Sequence, residues 1–181
     1  MDDILQRAES VKQGLAPIID ATSHTLILGT LPGDRSLKTG EYYANRNNQF
    51  WLIMEGIYGE HPGTVYESQI NFLKAKGIAL WDVLQSAERK GSSDGKIRNG
   101  IPNDFDRLFA AYPSLTRTIL AGGTCQKTWQ KLGIFTEHIT VMHVPSSSGT
   151  PGKNVRTLEE KVSLWRNALQ VGRPQYDSPT N

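Results

Sequence analysis

Apolar residues along the chain fall into two patterns. Short unbroken runs occur at 25–29 (TLILG), 78–81 (IALW), 118–121 (TILA) and 139–144 (ITVMHV), and runs of this length read as buried strands. Between them lie segments of helical character at 48–58, 65–74, 104–111 and 124–132. Strands alternating with helices predict an α/β fold of three layers, α/β/α, around a central parallel sheet. Ile4, Ala8, Val11 and Leu15 also recur at helical spacing ahead of Pro17, which predicts an opening amphipathic helix. Thr157 followed by Glu160 has the form of a capping box. Leu158, Val162, Trp165 and Leu169 behind it make one apolar stripe, so a last helix is expected there, facing the core. From Gly172 the chain has Gly, Pro and Ser without periodicity. Residues 1–171 are therefore expected to form a single domain and 172–181 a flexible tail.

The 181 residues, 38% of them hydrophobic, suffice for one sizeable core. Twenty Lys and Arg oppose 18 Asp and Glu, a net charge of +2, and the pI near 8.7 is a mild sign of an anionic partner that does not by itself establish nucleic-acid binding. Cys125 is the one cysteine, which excludes a disulfide framework and a four-cysteine metal site within the chain and fits a reducing, cytoplasmic setting. The opening MDDILQRAES has early acidic residues and no apolar stretch, and no 18-residue apolar run occurs anywhere. Neither a signal peptide nor a membrane partner is expected.

Open parallel sheets bind ligands beyond the carboxyl ends of their strands, which directs attention to the loops after Leu28, Trp81, Ala121 and Val144. The first reads GTLPGDRSL over 29–37 and continues to YYANRNNQFW over 42–51. Two glycines and a proline give a tight turn whose N–H groups can face a ligand, although an ordinary strand-to-helix turn has the same composition. The second half gathers stacking faces and amide groups, the combination that holds extruded or single-stranded bases. Trp51 is assigned to packing and Phe50 to stacking. The fourth strand ends in HVPSSSGT, 143–150, followed by Pro151, Gly152, Lys153 and Asn154. Its hydroxyls, N–H groups and Lys153 suit a phosphate backbone, or else form a plain polar loop. Arg89, Lys90, Lys96 and Arg98 surround Gly91, Ser92, Ser93 and Gly95 as a flexible basic loop, suited to phosphates or simply solvated.

GTLPG, YYANRNNQFW and VPSSSGT, in this order, resemble the two motifs of the uracil-DNA glycosylase superfamily, whose mismatch-specific members have G-x-N-P-G with N-x-F-W and a P-S-x-x-[SA] loop. GIALWDVL at 77–84, followed by ERKGSSDGKIR and NDF, is similar to the hypoxanthine-DNA glycosylase branch in particular. The likeness runs from Leu26 to Trp165. It implies a four-stranded parallel sheet between helices, no cofactor, no metal, and a monomeric enzyme of base-excision repair that hydrolyses the N-glycosidic bond of a nucleotide flipped from double- or single-stranded DNA carrying a damaged base. Hypoxanthine is the expected base, with uracil or an oxidised or hydroxymethylated pyrimidine such as 5-hydroxymethyluracil as alternatives.

By the same resemblance, the catalytic Asn of the first motif is replaced by Leu31, which cannot orient water, and Asn48 ahead of the Phe-Trp pair takes over. A carboxamide is no general base at neutral pH, so Asn48 is assigned to holding and aligning the water. Phe50 would stack on the base, with Gly29, Thr30, Leu31, Pro32 and Gly33 as the pocket wall. Tyr43 would either set the pocket's size or pack in the core, and Asp82 would be either a pocket carboxylate or a helix cap. Pro145, Ser146, Ser147, Ser148, Gly149 and Lys153 would meet DNA, with Ser147 and Ser148 as the wedge that fills the vacated stack. His143 lies one residue early for its counterpart in uracil-specific relatives and is read as structural. Strand scission would need an amine in the site. Lys38 and Lys153 are near in sequence but match no motif position, so the glycosylase is expected to be monofunctional.

Three rival readings remain at this point. A non-catalytic damaged-DNA-binding module would share the same features. A serine hydrolase built on Ser146 or Ser147 with His143 lacks the G-x-S-x-G elbow. A nucleotide-binding Rossmann protein lacks G-x-G-x-x-G.

Overall fold

The computed structural model describes residues 11–134, 137–150 and 155–170. Strand β1 (Val11–Gln13) precedes β2 (Thr25–Gly29), and helices α1 (Asp34–Thr39), α2 (Phe50–Tyr58) and α3 (Tyr66–Ala75) follow. Next come β3 (Ile78–Asp82), β4 (Leu84–Glu88) and β5 (Arg98–Pro102), with a single 3-10 turn at Asp94–Lys96 between the last two. The chain continues through α4 (Phe105–Ala111), β6 (Arg117–Ala121), α5 (Gly123–Leu132), β7 (Thr140–Val144) and α6 (Leu158–Gln170).

The central sheet has the order β3-β2-β6-β7, with all its pairs parallel. Because side chains alternate along a strand, each strand feeds two cores. Ile27, Ile78, Leu80 and Ile119 pack with Phe50, Ile53 and Met54 of α2, Leu73 of α3 and Trp165 and Leu169 of α6. Leu26, Leu28, Ala79 and Leu120 pack on the other face with Phe105 and Leu108 of α4 and Cys125 and Trp129 of α5. The three-layer α/β/α architecture expected from the sequence is present. The capping box is also realised: the Thr157 amide donates to Glu160 Oε2 at 2.8 Å, and the Glu160 amide to Thr157 Oγ1 at 3.2 Å.

The opening of the described chain differs from expectation. Val11 lies in β1, paired antiparallel with β4, and the Gly14 amide continues the pairing to the Gln85 carbonyl at 2.7 Å. Tertiary strand pairing outweighs the helical spacing of two apolar residues. Ile4 and Ala8 lie outside the described residues, as does the expected 172–181 tail. The basic stretch 89–98 is likewise part of a second sheet, β1-β4-β5, as the connection of an antiparallel hairpin. Among the described residues no helix is long and apolar enough to cross a membrane.

Candidate active site

Parallel register sets Gly29 opposite Asp82 at the carboxyl edge of the central sheet. Beyond that edge lies a pocket of about 610 Å³. Its walls bring together Gly29, Thr30, Leu31, Pro32 and Gly33 of the first loop, Tyr43, Asn48, Asp82, and Ser146, Ser147 and Ser148 of the second motif. Ser92, Ser93 and Asp94 of the β4–β5 connection close a further side. Phe50, Pro145, Gly149, His143 and Lys38 do not line it, and Lys153 lies outside the described residues. His143 is exposed on β7, consistent with its one-residue offset.

The first loop is held from below. Gly29 and Thr30 carbonyls accept from the Val83 and Leu84 amides at 2.9 and 3.1 Å. The next two carbonyls have a different donor: Arg89 donates through Nη1 to Leu31 O at 3.2 Å and through Nη2 to Pro32 O. Arg89 is only 1% exposed and faces Asp94 at 3.7 Å, so it cannot serve as the phosphate contact expected of it. The planar fork of guanidinium donors satisfies consecutive carbonyls that have no strand partner. Leu31 is buried with Val83 and Leu84, so hydrocarbon stands where a water-aligning group would otherwise be.

Asn48 is half-buried at the pocket. Its Oδ1 accepts from the Phe50 amide at 2.9 Å, covering an unpaired donor at the start of α2. The second lone pair of that oxygen and the Nδ2 donors remain to hold a water. Its backbone is pinned to the second motif by an isolated antiparallel bridge to Ser148. Gln49 N donates to Ser147 O at 2.8 Å and Gly149 N to Asn47 O at 3.0 Å. Lys161 of α6 completes the clamp, donating to Gln49 Oε1 and to Ser148 O, both at 2.7 Å. Burial pushes the Lys161 pKa down, and the two acceptors compensate for its loss of water. Trp165 Nε1 donates to Pro145 O at 2.9 Å. Sequence reasoning missed Lys161, whose one signal is a lysine beside Val162 in an otherwise apolar stripe.

Ser147 is buried, with its carbonyl committed to Gln49. It therefore does not project as a groove-filling wedge, whereas Ser146 is exposed and Ser148 half-buried.

Phe50 does not take the base-facing place expected of it, and Tyr43, expected at either the pocket or the core, meets both. Phe50 is fully buried, with its face covered by the Tyr43 ring at a centroid distance of 3.8 Å and an interplanar angle of 8°. A base cannot reach Phe50, and Tyr43 presents the pocket-lining ring. Tyr43 adopts φ +57°, the left-handed region that costs a residue with a β-carbon about 1 kcal/mol or more. Trp51 meets Phe50 edge-on at 4.9 Å and packs against the core as expected.

Asp82 does not cap a helix, because β4 begins two residues later. It is 5% exposed and lines the pocket, and its Oδ2 has no hydrogen-bond partner among the described residues. Burial, with nearby Asp94 adding to it and Arg89 opposing, pushes its pKa up to about 8. The carboxyl is therefore largely neutral at pH 7. Burial also raises Asp94, against the hydrogen bond from Thr30 and the charge of Arg89. Among the described residues no group of three or more His, Cys, Asp or Glu is placed to hold a metal.

Residues 16–168 match the family model of the uracil DNA glycosylase superfamily. A protein of Methanosarcina barkeri named hypoxanthine DNA glycosylase is 34% identical over 163 residues, 88% of this chain and 98% of that one. A Methanosarcina acetivorans protein of the same name is 33% identical over 159 residues, 86% of this chain and 96% of its own. The solution NMR structure of a candidate uracil DNA glycosylase from Methanosarcina acetivorans superposes with a TM-score of 0.72 at 31% identity, covering 88% of this chain and 96% of that one. The chain belongs to the uracil DNA glycosylase superfamily.

Proposed function

We propose that this DNA glycosylase releases hypoxanthine by hydrolysing the N-glycosidic bond of a nucleotide turned out of DNA into the pocket. The observation that carries the reading is Asn48 fixed at the pocket by the bridge to Ser148 while Leu31 fills the first-motif position. The two Methanosarcina relatives named hypoxanthine DNA glycosylase support the choice of base.

In this mechanism the base stacks on Tyr43, and the backbone groups of 29–33 meet its edge. Asn48 holds a water in line with C1′ without taking its proton. The glycosidic bond breaks ahead of water attack, and the oxocarbenium-like sugar is stabilised by DNA phosphates and backbone dipoles rather than by the paired carboxylates of ordinary glycosidases. Pro145, Ser146, Ser148, Gly149 and Lys153 serve the DNA backbone, and Ser147 supports the loop from inside. No lysine is among the described residues lining the pocket, in keeping with a monofunctional enzyme that leaves the strand intact. The mechanism asks for protein groups from one chain only, in keeping with a monomer, and DNA as substrate fits a cytoplasmic setting.

Matched duplexes carrying one hypoxanthine, uracil or 5-hydroxymethyluracil, treated with the protein and then with alkali, test the reading. Breakage at hypoxanthine is expected. Breakage at a pyrimidine alone would replace the substrate, and tight binding without breakage at any base would replace the enzyme by a binding module.

A further inference from the structure

We infer that Asp82 is the general acid of the reaction, donating a proton to N7 of the purine as its bond to the sugar breaks. The inference rests on the hypoxanthine reading above and explains how this pocket helps such a base to leave. A purine departing through N9 alone carries away a negative charge. Its imidazole ring offers N7 as an in-plane acceptor conjugated to N9, and protonation there makes the leaving base neutral. An acid for this step must line the pocket, keep its proton at neutral pH and have no competing partner.

Among the described residues Asp82 meets all three conditions. It lines the pocket beside Gly29 and on the same wall system as Tyr43. Its Oδ2 is shut from solvent without a hydrogen-bond partner. A buried carboxylate would need donors to replace its lost water, and none of the described residues gives this oxygen one, so the neutral acid is the form the site favours. Gly29 leaves room for this carboxyl: a β-carbon built there would stand 2.6 Å from Asp82 Oδ1, closer than the two atoms can pack. The other acids on the pocket wall are differently placed. Asp34 pairs with Lys12 at 3.3 Å, Asp94 faces Arg89 at 3.7 Å, and burial makes the Tyr43 hydroxyl a still weaker acid than usual. The groups electrostatically coupled to Asp82 are Tyr42 and Tyr43 of the first loop, Arg89 and Asp94 of the β4–β5 connection, and Cys125 of α5.

In the step, the Asp82 O–H bond breaks as N7–H forms. The C1′–N9 bond breaks with its electron pair staying on the base, and hypoxanthine leaves as its neutral 7H tautomer. Water bonds to C1′ and sheds its surplus proton to solvent, from which the Asp82 carboxylate takes one back.

Single-turnover release of hypoxanthine, measured against pH together with duplex affinity, tests this in the wild type, Asp82→Asn and Asp82→Glu. The wild-type rate should hold at low pH and fall as Asp82 ionises, near pH 8. The near-isosteric Asp82→Asn should lose about 100-fold in rate or more, lose the descending limb, and keep its affinity and, in acid, its thermal melt. Asp82→Glu should recover part of the rate with the limb restored. A duplex carrying 7-deazahypoxanthine, which has no N7 acceptor, should bind the wild type and resist cleavage. Full-rate release by Asp82→Asn, a limb that survives in it, equal losses of rate and affinity, or ready cleavage of the 7-deaza duplex would each overturn the acid role. Failure of the wild type to release hypoxanthine at all would instead overturn the reading beneath it.

Discussion

Gly149 approaches the backbone of Asn47 so closely that its amide donates to the Asn47 carbonyl at 3.0 Å and a β-carbon in its place would collide with that oxygen. This contact and the neighbouring Asn48–Ser148 bridge join the two motifs into one rigid piece. Gly149→Ala should therefore displace Asn48 without touching it. The expected cost is about 1–3 kcal/mol of stability, read as a lower thermal midpoint, with a loss of hypoxanthine release larger than the loss of duplex affinity.

Tyr43, stacked on Phe50 at 3.8 Å, is the ring a base would meet. Tyr43→Ala should weaken binding of an extruded base by about 1–3 kcal/mol, whereas Tyr43→Phe should retain most of it. Equilibrium binding to a duplex with a non-cleavable hypoxanthine analogue checks both. Equal affinity of the Ala variant and the wild type would remove Tyr43 from the base site.

Arg89 is a strut, so Arg89→Met should act through structure. Leu31 O and Pro32 O lose their buried donor, and Asp94 loses the cation that faces it at 3.7 Å. A destabilisation of about 2 kcal/mol or more is expected in denaturant unfolding, with little change in the salt dependence of DNA binding. A salt slope reduced by about one would instead return Arg89 to phosphate contact.

The buried neutral Asp82 also sets a dependence of stability on pH. Its pKa in the folded chain, about 8, lies above the ordinary carboxyl value of 3.8. The folded state therefore holds a proton that the unfolded state loses, and the stabilising effect of that proton is complete below the ordinary value and lost as pH rises toward 8. Asp82→Asn cannot lose a proton. The variant should match the wild type in acid and exceed it by about 1.4 kcal/mol more for each pH unit between the ordinary carboxyl value and 8, measured as the difference in unfolding free energy. A difference independent of pH would mean that Asp82 is ionised in the fold.

Three strands of the central sheet were legible because they are buried and their runs are mainly apolar, so the expected strands at 25–29 and 78–81 agree with Thr25–Gly29 and Ile78–Asp82 to within a residue. The run at 139–144, expected to be a buried strand, forms the edge strand β7, whose Thr140, Val141 and His143 are exposed. Order and spacing of the motifs also brought Leu31, Asn48 and Asp82 to one pocket. The second sheet was not legible: all of β5 is exposed, and β4 carries Gln85, Ser86 and Glu88 where a run would need apolar residues. Local composition cannot distinguish a buried arginine from a solvated one, and Arg89 is bound to carbonyls 57 and 58 residues away. The burial of Phe50 behind Tyr43 has the same origin. Tyr43 stands in front of Phe50 with a left-handed backbone, a conformation that the sequence YYANRNNQFW does not announce.

In the proposed mechanism hypoxanthine is hydrolysed from DNA with Asn48 holding the water. Its most direct test is single-turnover release of hypoxanthine from a defined duplex by the wild type and Asn48→Ala, with duplex affinity measured alongside. Release by the wild type is expected, with a loss of about 100-fold or more in the variant at nearly unchanged affinity. Equal rates in the two proteins, or no release by the wild type, would contradict it.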